Sequence, residues 1–130
     1  MSDGRVTGLA GVLVFTSAER FDEMARFYRD VLAMPTRRDR EHFVSFEWGE
    51  VRLTVTVHDG VEGRATDPLR TMLNLAVDDV QSMHERLSGA GVTVIRPPEH
   101  EQWGGVVCSL EDPDGNIVQL FQLAGSSPES

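Results

Sequence analysis

The chain has 130 residues, of which 40% are hydrophobic and 25% are charged, a composition typical of one soluble globular domain. Twelve Lys and Arg against twenty-one Asp and Glu give a net charge of −9, which disfavours binding to nucleic-acid phosphates or to an anionic membrane surface. The apolar stretches are shorter than the roughly 20 residues of a membrane-spanning helix. The single cysteine, Cys108, and an N-terminus without a basic and then apolar signal segment predict a cytoplasmic protein.

The beginning of the chain predicts a strand followed by a helix. Apolar and β-branched residues from Leu9 to Thr16 are typical of a strand, and Thr16 with Glu19 has the form of a capping box that begins a helix. The apolar residues that follow recur at helical spacing and make one broad face: Phe21, Met24, Ala25, Tyr28, Val31 and Leu32. Pro35 ends this helix.

Two more strands and a linker follow the helix. Residues 42–48 and 51–58 predict strands that are joined by a tight Gly49-Glu50 turn. The stretch from Asp59 to Pro68 is rich in Gly and Asp and lacks periodicity, so we expect it to connect two halves of the chain.

The second half begins on the same plan. Residues 73–77 predict a strand, after which Asp78 or Asp79 caps a helix. The apolar face of that helix consists of Val80, Met83 and Leu87. Gly91 is placed to end the helix in a left-handed conformation.

Three strands complete the second half. Residues 92–95 predict a short strand that ends at Pro97-Pro98. Residues 105–110 and 117–123 predict a hairpin around the turn Asp112-Pro113-Asp114-Gly115, which has Pro and Gly at positions that turns favour.

The repeated order predicts one α+β domain, residues 1–130, built from two βαβββ modules. Module one covers about residues 9–58, a linker covers 59–69, module two covers about 70–123, and the tail 124–130 is expected to fray. A helix would cover only one side of each sheet. Joining the two curved sheets as a half-open barrel would bury their other sides around a central cavity.

Three segments carry a family resemblance: FYRDVLAMP (Phe27 to Pro35), LAVDDVQSMHERLSGAGV (Leu75 to Val92) and DPDGNIVQLFQ (Asp112 to Gln122). In this order they resemble the vicinal oxygen chelate superfamily, which includes glyoxalase I, bleomycin-resistance proteins and extradiol dioxygenases. The likeness covers nearly the whole chain and implies the two-module fold. It is weak support for any one reaction, because the superfamily hosts several chemistries and several proteins that are not enzymes.

The resemblance also implies where a metal would bind. Metal-dependent members carry His, Glu or Gln on the first strand of each module, and those positions fall on Gly11, or a neighbour, and on Met72. Neither side chain suits a hard divalent ion. The last-strand positions fall on Gln119 and on Leu53, or on Arg52 or Thr54 after a one-residue slip. We therefore expect no bound catalytic metal and no cofactor.

Gln119 interrupts an otherwise apolar strand face. It shares that face with Ile117 and Phe121, whereas Val118, Leu120 and Gln122 share the other face, which suits a helix. Gln119 and Phe121 are therefore candidate ligand-contacting residues in the cavity. The alternative is an amide whose hydrogen bonds are met by the backbone or by water.

Residues 51–58 alternate between an apolar row and a polar row. The polar row consists of Arg52, Thr54, Thr56 and His58, and it would line the cavity if the apolar row packs on the helix. An alignment based on the Gly49 turn gives the opposite orientation. On the first interpretation Arg52 is a candidate anchor for an anionic group, and His58 is a candidate acid or base. The alternative is a face that is partly solvated near the strand ends.

Two tryptophans lie next to glycines in the two halves. Trp48 and Trp103, together with Phe46, predict an aromatic slot for a flat ligand, and core packing is the alternative. His100 lies in the loop from Pro97 to Trp103, and loops at the rim of a cavity often carry function.

Two functions of different class fit these residues. The first is a binding protein that holds a small aromatic or cationic molecule without a metal, as the resemblance to bleomycin-resistance proteins implies and the negative charge supports. The alternative is a metal-dependent glyoxalase-type lyase or isomerase, or a dioxygenase, which needs a divalent metal or acid–base chemistry from His58, His100 or Glu111. The predicted partners are a small-molecule ligand and a second copy of the chain in a homodimer, with no nucleic acid and no membrane.

Overall fold

The computed structural model describes residues 4–124 of the chain. The chain divides into two compact units, Met1–Glu62 and Gly63–Ser130, and their boundary falls inside the predicted linker at residues 59–69. Among the described residues no helix is long and apolar enough to cross a membrane.

Unit one is a four-stranded mixed sheet with one helix. Its elements are β1 (Gly11–Thr16), α1 (Phe21–Arg26), β2 (Thr36–Arg40), β3 (Phe43–Trp48) and β4 (Val51–Val57), and α1 continues through a π-helical turn at Phe27–Val31. The strand order is β1-β4-β3-β2, with β1 parallel to β4 and the other pairs antiparallel. The predicted Gly49-Glu50 turn joins β3 to β4, and Gly49 has the positive φ (+57°) that such a tight hairpin needs at its first position.

Unit two repeats this order. Its elements are β5 (Met72–Ala76), α2 (Val80–Gly89), β6 (Thr93–His100), β7 (Val106–Glu111) and β8 (Ile117–Gln122), preceded by a 3-10 turn at Pro68–Arg70. The strand order is β5-β8-β7-β6, again with a parallel pair at one edge. Each unit is therefore a βαβββ module, and the predicted α+β fold of two modules is confirmed. Their closure into a half-open barrel around a cavity stays a prediction.

The core of unit one lies between α1 and one face of its sheet. Alternate residues of β3 and β4 turn towards the helix, and Val44, Phe46, Leu53 and Val55 are at most 4% exposed. On the helix side five of the predicted residues are at most 6% exposed: Phe21, Met24, Ala25, Tyr28 and Leu32. Full burial of a large apolar side chain contributes about 1.5–3 kcal/mol. The helical spacing therefore identified five of the six predicted residues correctly. The sixth, Val31, is only half-buried, and Phe27, which the spacing does not include, is 5% exposed.

The core of unit two is built in the same way. Six fully buried side chains pack between α2 and the sheet: Val80, Leu87, Cys108, Leu110, Val118 and Leu120. Cys108 fills space as a small hydrophobe, and burial raises the pKa of its thiol. That shift keeps the thiol protonated, so Cys108 is a packing residue.

Both ends of α2 are closed by the residues that the sequence indicates. Asp79 is the N-cap, and its Oδ1 accepts a hydrogen bond from the backbone N–H of Ser82 at 3.1 Å. Gly91 has a φ of +85°, and its N–H and that of Val92 close a Schellman motif on the last turn. The prediction for both ends of this helix is confirmed.

The capping box predicted at Thr16 and Glu19 is wrong. The helix begins at Phe21, and its N-cap is Arg20, whose side chain makes no capping hydrogen bond. Thr16 is instead the fully buried last residue of β1, and its carbonyl accepts from the N–H of His58. Thr16 therefore continues the sheet. The strand also begins later than the predicted Leu9, at Gly11.

Two edge strands differ from the prediction. The sequence does not locate the remaining strand of module one, β2, because the segment TRRDR has no apolar alternation. The strand is exposed throughout. The sequence predicts that β6 ends at Pro97-Pro98, but the strand continues to His100. An edge strand tolerates proline where the ladder is irregular, and the register of β6 on β7 shifts between Arg96 and Glu99.

Candidate functional site

The face of each sheet that is turned away from its helix is called here the helix-free face. On the second sheet this face carries a polar row in which Asn74, Gln119, Ser109 and Arg96 are neighbours in register across all four strands. The Nε2 of Gln119 donates a hydrogen bond to Oδ1 of Asn74 at 3.0 Å. Gln119 therefore lies on the sheet face turned away from α2, as predicted. Its side-chain amide forms a hydrogen bond with a neighbouring side chain.

An aromatic pair lies on the same face. The ring centroids of Trp103 and Phe121 are 5.3 Å apart, with 30° between the ring planes. Trp103 belongs to the turn between β6 and β7, and its indole lies over Gly105, where a Cβ would collide with it. Because Trp103 is 50% exposed, about half of its surface remains accessible next to Phe121. Two of the predicted ligand-contacting residues are thus brought together.

Arg96 at the end of the polar row is held by two carboxylates. Its Nε and Nη2 lie 2.9 and 3.2 Å from the oxygens of Glu99, and Nη2 also donates to Glu101 at 2.6 Å. The hydrogen bonds raise the pKa of Arg96, and the largest contribution comes from Glu99. The hydrogen bond with Arg96 in turn lowers the pKa of Glu99. The cation is therefore neutralised by the protein itself. The amide pair and the aromatic pair remain as the groups that this face offers to a ligand.

The first sheet also has a polar helix-free face. Arg52, Thr54, Thr56 and His58 alternate with the apolar row in the helix-side core, so the polar row lies opposite the helix. This is the orientation that the alternation of residues 51–58 predicted. The alignment that placed Leu53 on the ligand side is wrong, because Leu53 is 4% exposed in the core beside α1.

His58 is held by a local hydrogen bond at the end of β4. Its Nδ1 accepts from the backbone N–H of Gly60 at 2.9 Å, and its ring meets that of Phe15 edge-on with centroids 5.2 Å apart. An accepting Nδ1 places the proton of the neutral ring on Nε2. Neutral His58 then offers a ligand an N–H donor but no unused lone pair, which does not suit a general base.

Three other residues that the sequence predicts for the site lie on the helix side of their sheets, not on the helix-free face. Phe46 is fully buried in the core of unit one, so its predicted contribution to an aromatic slot with Trp48 and Trp103 is wrong. Trp48 shares that side and is 42% exposed at the end of the hairpin. His100 ends β6 instead of lying in a loop, and its register with Val106 and Gln122 places it on the side of α2.

The metal positions implied by the resemblance need a correction. Met72 pairs with Ile117 in the parallel ladder, and the residue beside Gln119 is Asn74. These two amides offer a divalent ion no carboxylate or imidazole, and the Oδ1 of Asn74 already accepts a hydrogen bond from Gln119. Within residues 4–124 no three His, Cys, Asp or Glu side chains come together as a metal site requires. The Asn74–Gln119 pair alone therefore does not provide a divalent-metal site.

Sequence reasoning missed two residues that shape this site. Asn74 is the polar residue of the segment MLNLA, so the alternation along β5 shows that it interrupts an apolar strand. The sequence does not show that its partner on β8 is Gln119. The Oε1 of Gln122 accepts a hydrogen bond from the backbone N–H of Val80 at 2.8 Å. That contact ties β8 to the start of α2 and so fixes which face of β8 presents Gln119.

Comparison with known proteins identifies the family. A family model described as the Glyoxalase/Bleomycin resistance protein/Dioxygenase superfamily matches residues 14–120. The chain therefore belongs to this superfamily, as the three sequence motifs indicated.

Individual relatives agree with this assignment. A bleomycin resistance protein from Klebsiella pneumoniae is 29% identical over 119 residues, which cover 82% of this chain and 90% of that protein. A glyoxalase-related enzyme from Fulvimarina pelagi matches with a TM-score of 0.70 and 19% identity over 90% of this chain and 88% of its own. A lactoylglutathione lyase from Agrobacterium tumefaciens matches with a TM-score of 0.68 and 18% identity over 92% and 96%. At such low identity the two structures establish the fold alone.

Proposed function

We propose that this protein binds a small aromatic or cationic molecule without a metal, as the name of its bleomycin resistance relative suggests. The observation that carries the proposal is the half-exposed Trp103 against Phe121, on the same face as the Gln119–Asn74 amide pair. An exposed indole attracts flat rings by stacking and cations through its π-system. The net charge of −9 favours the approach of a cation.

The contacts of the groups named for acid–base chemistry support binding over catalysis. The Nδ1 of His58 is occupied by Gly60, and Glu111 forms an ion pair with Arg64. His100 lies on the helix side of its sheet. The alternative, a metal-dependent lyase, isomerase or dioxygenase, has less support, because among the described residues no three His, Cys, Asp or Glu side chains come together.

The proposal is tested by titrating the protein with metal-free bleomycin and with ethidium, a flat cationic dye. The variant Trp48→Phe leaves Trp103 as the single tryptophan, so its fluorescence should change saturably as either probe binds. Calorimetry on Trp103→Ala should show a Kd raised about tenfold or more, which corresponds to about 1.4 kcal/mol. Trp48→Phe should bind as the natural protein does.

Equal affinity in Trp103→Ala and Trp48→Phe would contradict the proposal. So would a stoichiometric divalent metal in protein purified without a chelator, measured by elemental analysis. That result would favour the metal-dependent enzyme.

A further inference from the structure

We propose that unit one carries a binding site for an oxyanion, a carboxylate or a phosphate group, on its helix-free face. Arg37, Glu47 and Arg52 supply the charged part of the site, and the hydroxyls of Ser45 and Thr54 supply its neutral part. The inference goes beyond the proposed function, because it concerns residues of unit one alone and a ligand group of the opposite charge.

Two guanidinium groups share one carboxylate in this cluster. The Oε2 of Glu47 lies 2.6 Å from Nε of Arg37 and 3.5 Å from Nε of Arg52. Both contacts are made by an Nε, so neither of them uses an Nη donor of the guanidinium fork. The cluster carries a formal charge of +1 in a chain whose net charge is −9. The fork of N–H groups on a guanidinium matches the two oxygens of a carboxylate or phosphate.

Arg52 is the arginine that a ligand can reach. Its side chain is 52% exposed, compared with 32% for Arg37. Its distance to Glu47 exceeds the roughly 2.7–2.9 Å of a charge-assisted hydrogen bond, so the pair is loose. An incoming oxyanion therefore gains a bidentate partner without having to break a tight ion pair.

Ser45 provides an independent indication that a partner is missing. Its residue is 2% exposed, and its Oγ has no hydrogen-bond partner among the described residues. Buried hydroxyls are ordinarily satisfied, because an unpaired one loses its hydration without compensation.

The strand register places this hydroxyl beside the arginines. Ser45 pairs with Thr54, which is 8% exposed, and Glu47 pairs with Arg52 in the next position on the same face. An oxyanion can accept from the Arg52 fork and from a hydroxyl at once. That arrangement would give the Ser45 hydroxyl a partner. The Oε2 of Glu47 is also buried without a hydrogen bond among the described residues, and it faces the two guanidinium groups.

The test uses the full chain in two separate titrations, one with inorganic phosphate and one with acetate, at constant ionic strength. Two-dimensional ¹H–¹⁵N NMR should show saturable shifts confined to residues 36–38, 45–47 and 52–54. The probe with the lower Kd shows whether the site prefers a phosphate or a carboxylate group. Arg52→Gln should raise its Kd about tenfold, whereas Arg70→Gln, the same charge change at an exposed site of unit two, should leave it unchanged.

Ser45→Ala separates a binding role from a structural one. Because the hydroxyl has no partner, its removal should leave the thermal midpoint unchanged or raise it, and it should weaken binding of the tighter probe several-fold. Shifts that do not saturate with either probe would overturn the inference, as would equal Kd values for Arg52→Gln and Arg70→Gln. These results are independent of the Trp103→Ala titration, so the two proposals fail separately.

Discussion

At the scale of single residues, a missing carbon atom decides how closely β1 approaches β4. Gly11 pairs with Arg52 in the parallel ladder, and a Cβ at Gly11 would lie 2.5 Å from the carbonyl oxygen of Arg52. The obstacle is backbone, which cannot rotate away as the end of a flexible side chain can. Gly11 therefore allows the start of the first sheet to form.

We expect Gly11→Ala to lower the free energy of unfolding by about 1–3 kcal/mol, the usual cost of overpacking. Urea denaturation followed by circular dichroism measures the change. Gly89→Ala is the matched control, because Gly89 is helical and has open space around its Cβ position. There alanine should raise stability by up to about 1 kcal/mol. Equal effects at the two positions would contradict the steric argument.

Individual residues also show which parts of the candidate site the sequence predicts. The face of Gln119 follows from local alternation on one strand, and the polar row of Arg52 and His58 follows in the same way. Asn74 could not be assigned to Gln119, because the two residues are 45 positions apart and meet only through the parallel register. The free hydroxyl of Ser45 is likewise a property of packing that no spacing encodes.

At the scale of elements, the sequence predicts a helix or strand correctly where capping residues or an apolar pattern mark its ends. It fails where the element has no such residues. α2 was predicted correctly because Asp79 and Gly91 act locally at its two ends. The start of α1 was misplaced because its N-cap, Arg20, provides no side-chain hydrogen bond. β2 was missed because an exposed edge strand needs no apolar face.

The cap of α2 makes stability depend on pH. The hydroxyl of Ser82, at 2.6 Å, and then its N–H hold the pKa of Asp79 below its usual value. A lowered pKa in the folded state stabilises the fold above the ordinary Asp pKa of about 3.9. This contribution is lost as the pH falls below that value, because the unfolded chain binds the proton first.

Asp79→Asn keeps an N-cap but removes the titration. We therefore expect the thermal midpoints of the natural protein and Asp79→Asn to differ most at neutral pH and to converge as the pH falls from about 5 to below 3. Asp78→Asn, one residue outside the cap, should show no such convergence. A difference between natural protein and Asp79→Asn that stays constant across this range would contradict the assignment of the charge effect to the cap.

At the scale of the whole molecule, each sheet has one edge strand with charged residues and one edge strand without them. β2 and β6 carry charged residues along their length, whereas the opposite edge strands, β1 and β5, carry none. Charged side chains are a common protection against unwanted strand pairing. On β1, Leu13 is 60% exposed and Phe15 is 37% exposed. Uncharged edges with exposed apolar side chains are expected where a second chain covers them.

We therefore predict a homodimer in which the uncharged edge strands contribute to a two-fold contact, since an isologous interface covers the same edge on both chains at once. Multi-angle light scattering should give a mass near twice 14.4 kDa at micromolar concentration. Leu13→Lys adds a charge to β1 and should shift the equilibrium towards monomer. Ile95→Lys, at a 46% exposed position on β6, the charged edge strand, should not. Monomeric mass at every concentration, or equal effects of the two lysines, would show that β1 does not form the contact.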